Sequence, residues 1–174
     1  GTLLPEATLR GALSLCEARG IRLLCDETYR EMTFGGPLPA AASLSPAAIS
    51  VCSLSKTYGL PGLRLGWAAT RDPELYETLL AAKEQIFICN SIVDEEIAAQ
   101  ALRRRPSWLP AIKARIAAGF GVMRDFMAAQ RDLEWVEPAG GVVAFPRIRS
   151  LDGPGQEPRH IDVDRFYELL RDRY

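Results

Sequence analysis

The stretch SLSKTYGLPGLRLG, residues 53–66, sets one lysine, Lys56, among serines and glycines, with Arg64 eight positions beyond it. A lysine amine in such a setting can form a Schiff base with a carbonyl-bearing ligand. Ser53, Ser55 and Arg64 add hydroxyls and a planar guanidinium fork, a donor set that suits a phosphate. The G-x-x-x-x-G-K pattern is missing, so this is not a P-loop. Upstream, Asp26 offers an anion and Tyr29, three residues later, a phenol. Plainer readings stand beside these. Lys56 reads equally as an exposed lysine on a turn, and Arg64 as a strand residue facing solvent. Asp26 reads as a loop acid that ends its strand, and Tyr29 as core packing. Taken together, an amine, a phosphate fork and an anion match a ligand that carries an aldehyde, a phosphate and a cationic nitrogen. Pyridoxal phosphate carries all three.

These residues can cooperate only if the elements around them bring them to one place. Residues 5–19 read as a helix, with Pro5 suited to its first position and Gly20 to the position just past its end. Leu9, Leu13 and Cys16 share one of its faces. The short apolar run at 21–25 reads as a buried strand ending in Asp26, and 34–48 as a looser stretch rich in Gly, Pro and Ala. Residues 48–54 read as a second buried strand, ending at Ser55 and Lys56. About 22 residues separate the two strands, enough for a crossover, so they can lie parallel. Residues 62–70 read as a third strand. Only seven residues lie between Ser55 and Leu63, too few for a parallel crossover, so this strand is expected antiparallel to the second. Ligands of such α/β sheets bind beyond the carboxyl ends of the strands, which places Asp26 and Lys56 on one rim.

The remainder reads as mostly helical, over 72–86, 94–104 and about 108–131. In the last of these, Ile112, Ile116, Phe120, Met123 and Met127 recur at helical spacing and are expected to be core, without chemistry. Residues 133–148 break into two short β segments around 138–141, residues 151–158 read as a loop, and a final helix runs from Asp162. No internal repeat or low-complexity segment is evident.

Composition narrows the function further. The 174 residues are 48% hydrophobic and 25% charged, with a net charge of −1, so nothing draws the whole chain to nucleic acid or an anionic membrane. Arg103, Arg104 and Arg105 read as a solvated helix end. No apolar run approaches the ~18 residues of a membrane span, and no signal peptide is expected. Four dispersed cysteines without a C-x-x-C pair, and His160 as the sole histidine, argue against a zinc site and a Ser-His-Asp hydrolase. Reduced cysteines favour a cytoplasmic location. A chain opening on Gly1 rather than Met is expected to be a processed or excised piece.

CDETYR at 25–30, followed by SLSKTYGLPGLRLGW at 53–67, resembles the class I/II, fold-type I pyridoxal-phosphate aminotransferases. The second motif is specific, its register agrees with the first, and the likeness runs over about residues 1–150. The resemblance implies an α/β fold: a mostly parallel sheet with one antiparallel strand, flanked by helices, plus part of a smaller α+β C-terminal domain. Residues 1–105 would belong to the cofactor-binding large domain, and 106–174 to the interdomain helix and part of the small domain. Lys56 would be catalytic and hold pyridoxal 5'-phosphate as a Schiff base. Asp26 would pair with the pyridine nitrogen and Tyr29 with the ring oxygen. Ser53 and Arg64 would hold the phosphate, with Ser55 beside them. A carboxylate ~4 Å from the pyridinium is worth about 4 kcal/mol at an effective dielectric of about 20, which keeps the ring an electron sink. The activity implied moves an amino group between an amino acid and a 2-oxo acid, in a cytoplasmic homodimer with no nucleic-acid or membrane partner.

Departures from the family pattern carry expectations of their own. Members are about twice this length. Their N-P-T-G stretch would end at Gly1, which puts the ring-stacking residue and the glycine-rich phosphate turn before the chain. The arginine that grips the substrate carboxylate would follow Tyr174; neither Arg147 nor Arg149 is assigned that role. Residues 1–174 alone are therefore expected not to complete a transamination. Asn90 and Ser91 fall near where a family dimer brings partner residues to the site. Two other readings stay open: a different pyridoxal-phosphate reaction (decarboxylation, elimination or oxidation), and a cofactor-sensing domain of a transcription regulator.

Overall fold

A computed structural model describes residues 2–36, 38–131 and 133–148, together with Asp164, Tyr167, Glu168, Arg171 and Asp172. Arg149, the 151–158 loop and His160 lie outside the described residues. Of the final helix, the five described positions are helical.

Helix α1 (Glu6–Ala18) follows Pro5, which caps it from outside rather than opening it. Gly20 ends it at φ +63°, the left-handed geometry that glycine adopts without a Cβ clash. Of the face read from sequence, Leu13 is buried and Leu9 and Cys16 are half-buried. Strand β1 (Leu23–Asp26) runs parallel to β2 (Ala48–Ser53), with Leu23 opposite Ala48 and Asp26 opposite Val51. Leu13, Ala41 and Ala48 form the core between α1 and this pair, with Leu23 and Cys25 packed against it. The expectation of a buried β1 fails on one face: Leu24 is 61% exposed, because the layer around Leu13 covers only the side that Leu23 and Cys25 present. Strand β2 does begin buried, at Ala48, Ile49 and Ser50. The stretch between the strands is not wholly irregular, since it holds a one-turn helix α2 (Ala41–Leu44).

Strand β3 (Gly66–Ala69) pairs antiparallel with β2, Ser53 opposite Gly66 and Ser50 opposite Ala69. The antiparallel neighbour read from the loop length is therefore present. With one pairing of each kind, the three strands form a mixed sheet rather than a mostly parallel one. β3 also starts four residues later than the apolar run implied. Pro61–Leu63 form a 3₁₀ turn and Arg64 takes a left-handed conformation (φ 53°, ψ 37°), so the chain cannot extend until Gly66. Proline fixes the turn's entry and has no N–H to give to a ladder.

Gly66 is required by contact rather than by its own φ. A Cβ there would lie 2.5 Å from the Cys52 carbonyl oxygen, a backbone atom that cannot move without breaking the β2–β3 register. Gly66→Ala should destabilise the protein by about 1–3 kcal/mol, the usual cost of overpacking a fitted site. Chemical denaturation would register this as a lower midpoint at unchanged slope; an unshifted midpoint would mean the strands part to admit the methyl.

Helix α3 (Pro73–Ile86) is capped by Asp72, which accepts from the amides of Glu74 (3.0 Å) and Leu75 (3.2 Å). α4 (Ile92–Arg103) is capped by Ser91, and α5 (Arg105–Ala129) follows after one non-helical residue, Arg104. Pro106 suits the first turn of α5, whose start lies three residues before the position read from sequence. Along α5 the expected apolar stripe faces inward, but only Met127 is fully buried; Phe120 stacks against Phe34 (4.4 Å) and Trp135 (6.0 Å). Two-residue strands β4 (Leu133–Glu134) and β5 (Arg147–Ile148) pair antiparallel, as the two β segments expected there.

Candidate active site

The loop from β2 to β3 holds Lys56 between two buried anchors. Leu54, Thr57 and Tyr58 are buried, while Lys56 itself is exposed. The Thr57 hydroxyl donates to the Thr28 carbonyl (2.6 Å), and the Tyr58 ring packs against Trp67 and Trp108 at 5.7 and 6.0 Å. Within the loop, the Gly59 amide donates to the Lys56 carbonyl (3.0 Å) and the Leu60 amide to the Leu54 carbonyl (3.0 Å). Gly59 has φ +66°, which lets the chain reverse directly after Tyr58. Apolar residues therefore pull both ends of the loop inward, and the lysine is left at its tip.

Before the tip, the Ser53 hydroxyl accepts from the Ser55 amide (3.0 Å) and donates to the Ser55 hydroxyl (2.9 Å), which makes the pair one compact polar group. Beyond the tip, the exposed Arg64 donates to its own turn at the Pro61 carbonyl (2.9 Å). Arg64 is the sole non-glycine with positive φ among the described residues, so it is a turn residue and not the strand residue expected.

Asp26 ends β1. One carboxylate oxygen accepts from both the Thr28 hydroxyl (2.6 Å) and the Thr28 amide (3.0 Å). These bonds, the hydroxyl's foremost, hold the Asp26 carboxyl below the usual carboxylate range. Tyr29 is 38% exposed and lines, with Asp26, Leu3, Leu9, Cys25 and Pro39, a cavity of about 420 Å³.

The parallel register puts the carboxyl ends of β1 and β2 on one side, so Asp26 and Lys56 do share a rim. Of the site residues read from sequence, however, the cavity takes in only Asp26 and Tyr29. Ser53, Ser55, Lys56 and Arg64 belong to the adjoining loop, which the Thr57–Thr28 bond fastens to the turn after Asp26. The sequence alone does not mark Thr28 and Thr57 as partners. An Asp followed two residues on by Thr is a signal for Thr28, since that spacing favours a side-chain turn. For Thr57 the signal was only its place beside Lys56. Among the described residues no group of three His, Cys, Asp or Glu is placed to hold a metal, and no helix is long and apolar enough to cross a membrane.

The donor set fits an aldehyde-bearing pyridine phosphate: an exposed amine, a hydroxyl pair, an exposed guanidinium and a carboxylate kept ionised. Comparison with known proteins agrees. The family model of aminotransferase class I and II matches residues 1–174. The arginine–pyruvate transaminase AruH of Pseudomonas aeruginosa is 26% identical over 181 residues, covering 100% of this chain and 43% of that protein. A PLP-dependent aminotransferase from Streptococcus suis superposes with a TM-score of 0.82 at 25% identity, over 98% of this chain and 43% of that one. The PLP-dependent cyclase OrfR also gives 0.82, at 29% identity, over 99% and 45%. The chain spans less than half the length of each of these relatives.

Proposed function

The chain belongs to the class I and II aminotransferase family, whose cofactor is pyridoxal phosphate, and on that premise we propose that it transfers an amino group between an amino acid and a 2-oxo acid. The observation that carries this reading is the exposed Lys56 held between buried Leu54 and Thr57, on the rim where Asp26 is kept anionic. The Lys56 amine is the covalent anchor for the cofactor. Once free, Lys56 Nζ would take the proton from the substrate's α-carbon and pass it on to the cofactor carbon rather than back to where it came from. Asp26 accepts from the ring nitrogen, and the Tyr29 hydroxyl donates to the ring oxygen. Ser53 and Arg64 hold the phosphate, with Ser55 supporting Ser53. When bound, the cofactor supplies the electron sink that makes a proton on the substrate's α-carbon removable. The same reading makes the protein a cytoplasmic homodimer acting on small molecules, with residues 1–105 and 106–174 as parts of two domains.

Because residues 1–174 alone are expected not to complete a transamination, the test uses the cofactor-loaded enzyme at the full length of its relatives: incubated with a panel of amino acids and a 2-oxo acid acceptor, it should yield the acceptor's amino acid in equal amount to donor consumed. Ammonia, carbon dioxide or a cyclised product without amino transfer would favour the second reading, another reaction of the same cofactor. The likeness to a PLP-dependent cyclase at 29% identity is what keeps that reading in view.

Arg64 allows charge and conformation to be separated. Its left-handed backbone costs a non-glycine residue roughly 1–2 kcal/mol, which glycine avoids. Arg64→Gly should therefore leave the apoprotein as stable as wild type or slightly more so, yet weaken cofactor binding by about tenfold or more through the lost charged hydrogen bonds. Absorbance titration beside denaturation of the apoprotein measures both, and undiminished cofactor affinity would remove Arg64 from the phosphate grip.

A further inference from the structure

We propose that Glu31 is a positioning residue for Lys56, acting through Tyr58; this rests on reading Lys56 as the residue that carries the cofactor. Glu31 lies five residues beyond Asp26, and its side chain is 13% exposed. Its Oε1 accepts from Arg105 Nη1 at 2.9 Å, stands 3.3 Å from the Tyr58 hydroxyl, and lies 3.7 Å from Arg30 Nη2. One oxygen thus gathers three parts of the chain: the turn after Asp26, the Lys56 loop and the start of α5.

The other oxygen, Oε2, is buried without a hydrogen-bond partner. Glu31 lines a cavity of about 70 Å³ with Glu27, Arg30, Ser50, Cys52 and Thr57. A half-satisfied buried acid is a poor stabilising device, because desolvating it offsets much of what its ion pairs return. Apolar contacts with Trp67 and Trp108 already keep the Tyr58 ring inside. Those contacts hold the ring by packing, and the bond at the hydroxyl adds a directional tie. Burial first, and then the Glu31 charge, push the Tyr58 hydroxyl up to about 12, so it keeps its proton and stays a donor.

Lys56 is two residues from Tyr58, and between them Thr57 has its own tie to the Thr28 carbonyl. The Thr57 bond ties the loop to the turn after Asp26, and the Tyr58–Glu31–Arg105 group ties it to the start of α5.

The test compares wild type, Glu31→Gln, Tyr58→Phe and the double variant, each as apoprotein given pyridoxal phosphate and then as holoprotein. Gln keeps the shape of Glu31 but loses its charge, and Phe keeps the packed ring but loses the hydroxyl. Each single variant should capture the cofactor covalently about tenfold more slowly, the loss expected for one charge-assisted hydrogen bond. At equal saturation, the visible circular dichroism of the bound cofactor should weaken, as a merely structural role would not require. The double variant should be no slower than the slower single, since both changes break one coupled group. Wild-type capture rates and dichroism in both single variants, or effects that multiply in the double, would overturn the proposal. If Glu31→Gln does not fold, Tyr58→Phe decides alone. Mapping the borohydride-reduced wild-type protein separates the two claims: an adduct away from Lys56 ends the premise, whereas an adduct on Lys56 with unaffected variants ends only the role of Glu31.

Discussion

Borohydride reduction of the cofactor-loaded protein is expected to leave the pyridoxyl group on Lys56 alone among the chain's three lysines. Lys83 lies within α3 with its amine 5.2 Å from the Phe87 ring centroid, and Lys113 lies within α5, so neither stands at the end of a strand. Lys56 follows a strand whose first half is buried, beside a serine pair and within reach of the turn that bears Asp26. On the proposed roles, Lys56→Ala would remove the anchor and the proton carrier together. Positioned acid–base catalysis contributes about 10²–10⁴-fold, so turnover should fall by at least that factor, equivalent to roughly 3–5 kcal/mol of barrier. Peptide mapping by mass spectrometry, with the amino-transfer assay beside it, gives the outcome. A pyridoxyl peptide containing Lys83 or Lys113, or a Lys56→Ala protein that still turns over, would sink the assignment.

Asp26→Ala should separate binding from chemistry. Lys56 still captures the cofactor, but proton removal from the substrate slows by about a hundredfold or more. A carboxylate ~4 Å from a pyridinium is worth about 4 kcal/mol at an effective dielectric of about 20, and the exposure of Asp26 reduces that figure through solvent screening. The two Thr28 donors favour the ionised carboxylate and so depress its pKa. A depressed acid contributes stability above its unfolded pKa and loses it as the pH falls through the folded value; on the proposed role, the same titration would end its support of a protonated ring. Thr28→Val deletes the hydroxyl donor, which is the larger cause. It should therefore move the acid limb of the rate profile to higher pH while leaving the Thr28 carbonyl free to hold Thr57. Stopped-flow measurement of proton removal in deuterated against ordinary substrate isolates the step. Near wild-type rates in Asp26→Ala would end the electron-sink role, and an unmoved acid limb in Thr28→Val would show that some other group sets it.

The order of strands and their directions could be read before any coordinates, because chain length limits what a connection can do. About 22 residues after Asp26 permit a parallel crossover, and the seven between Ser55 and Leu63 do not. Once those directions hold, Asp26 and Lys56 must fall on one rim, as they do. Local periodicity likewise marked the helices to within a few residues. Exposure was not legible in the same way. Leu24 belongs to an apolar run, yet whether a strand face is covered depends on what lies over it, and that is a property of the assembled layers. Nor was Arg64 legible: alternation of apolar residues from Leu63 to Trp67 spells a strand, and only the 3₁₀ turn at Pro61–Leu63 forces a left-handed residue in its place. The ties that hold Lys56 join Thr57 to Thr28 across 29 positions and Tyr58 to Glu31 across 27. Hydrogen bonds act over about 3 Å, so residues so far apart in sequence carry no periodic mark of their partnership, and it exists only once the sheet has closed the distance.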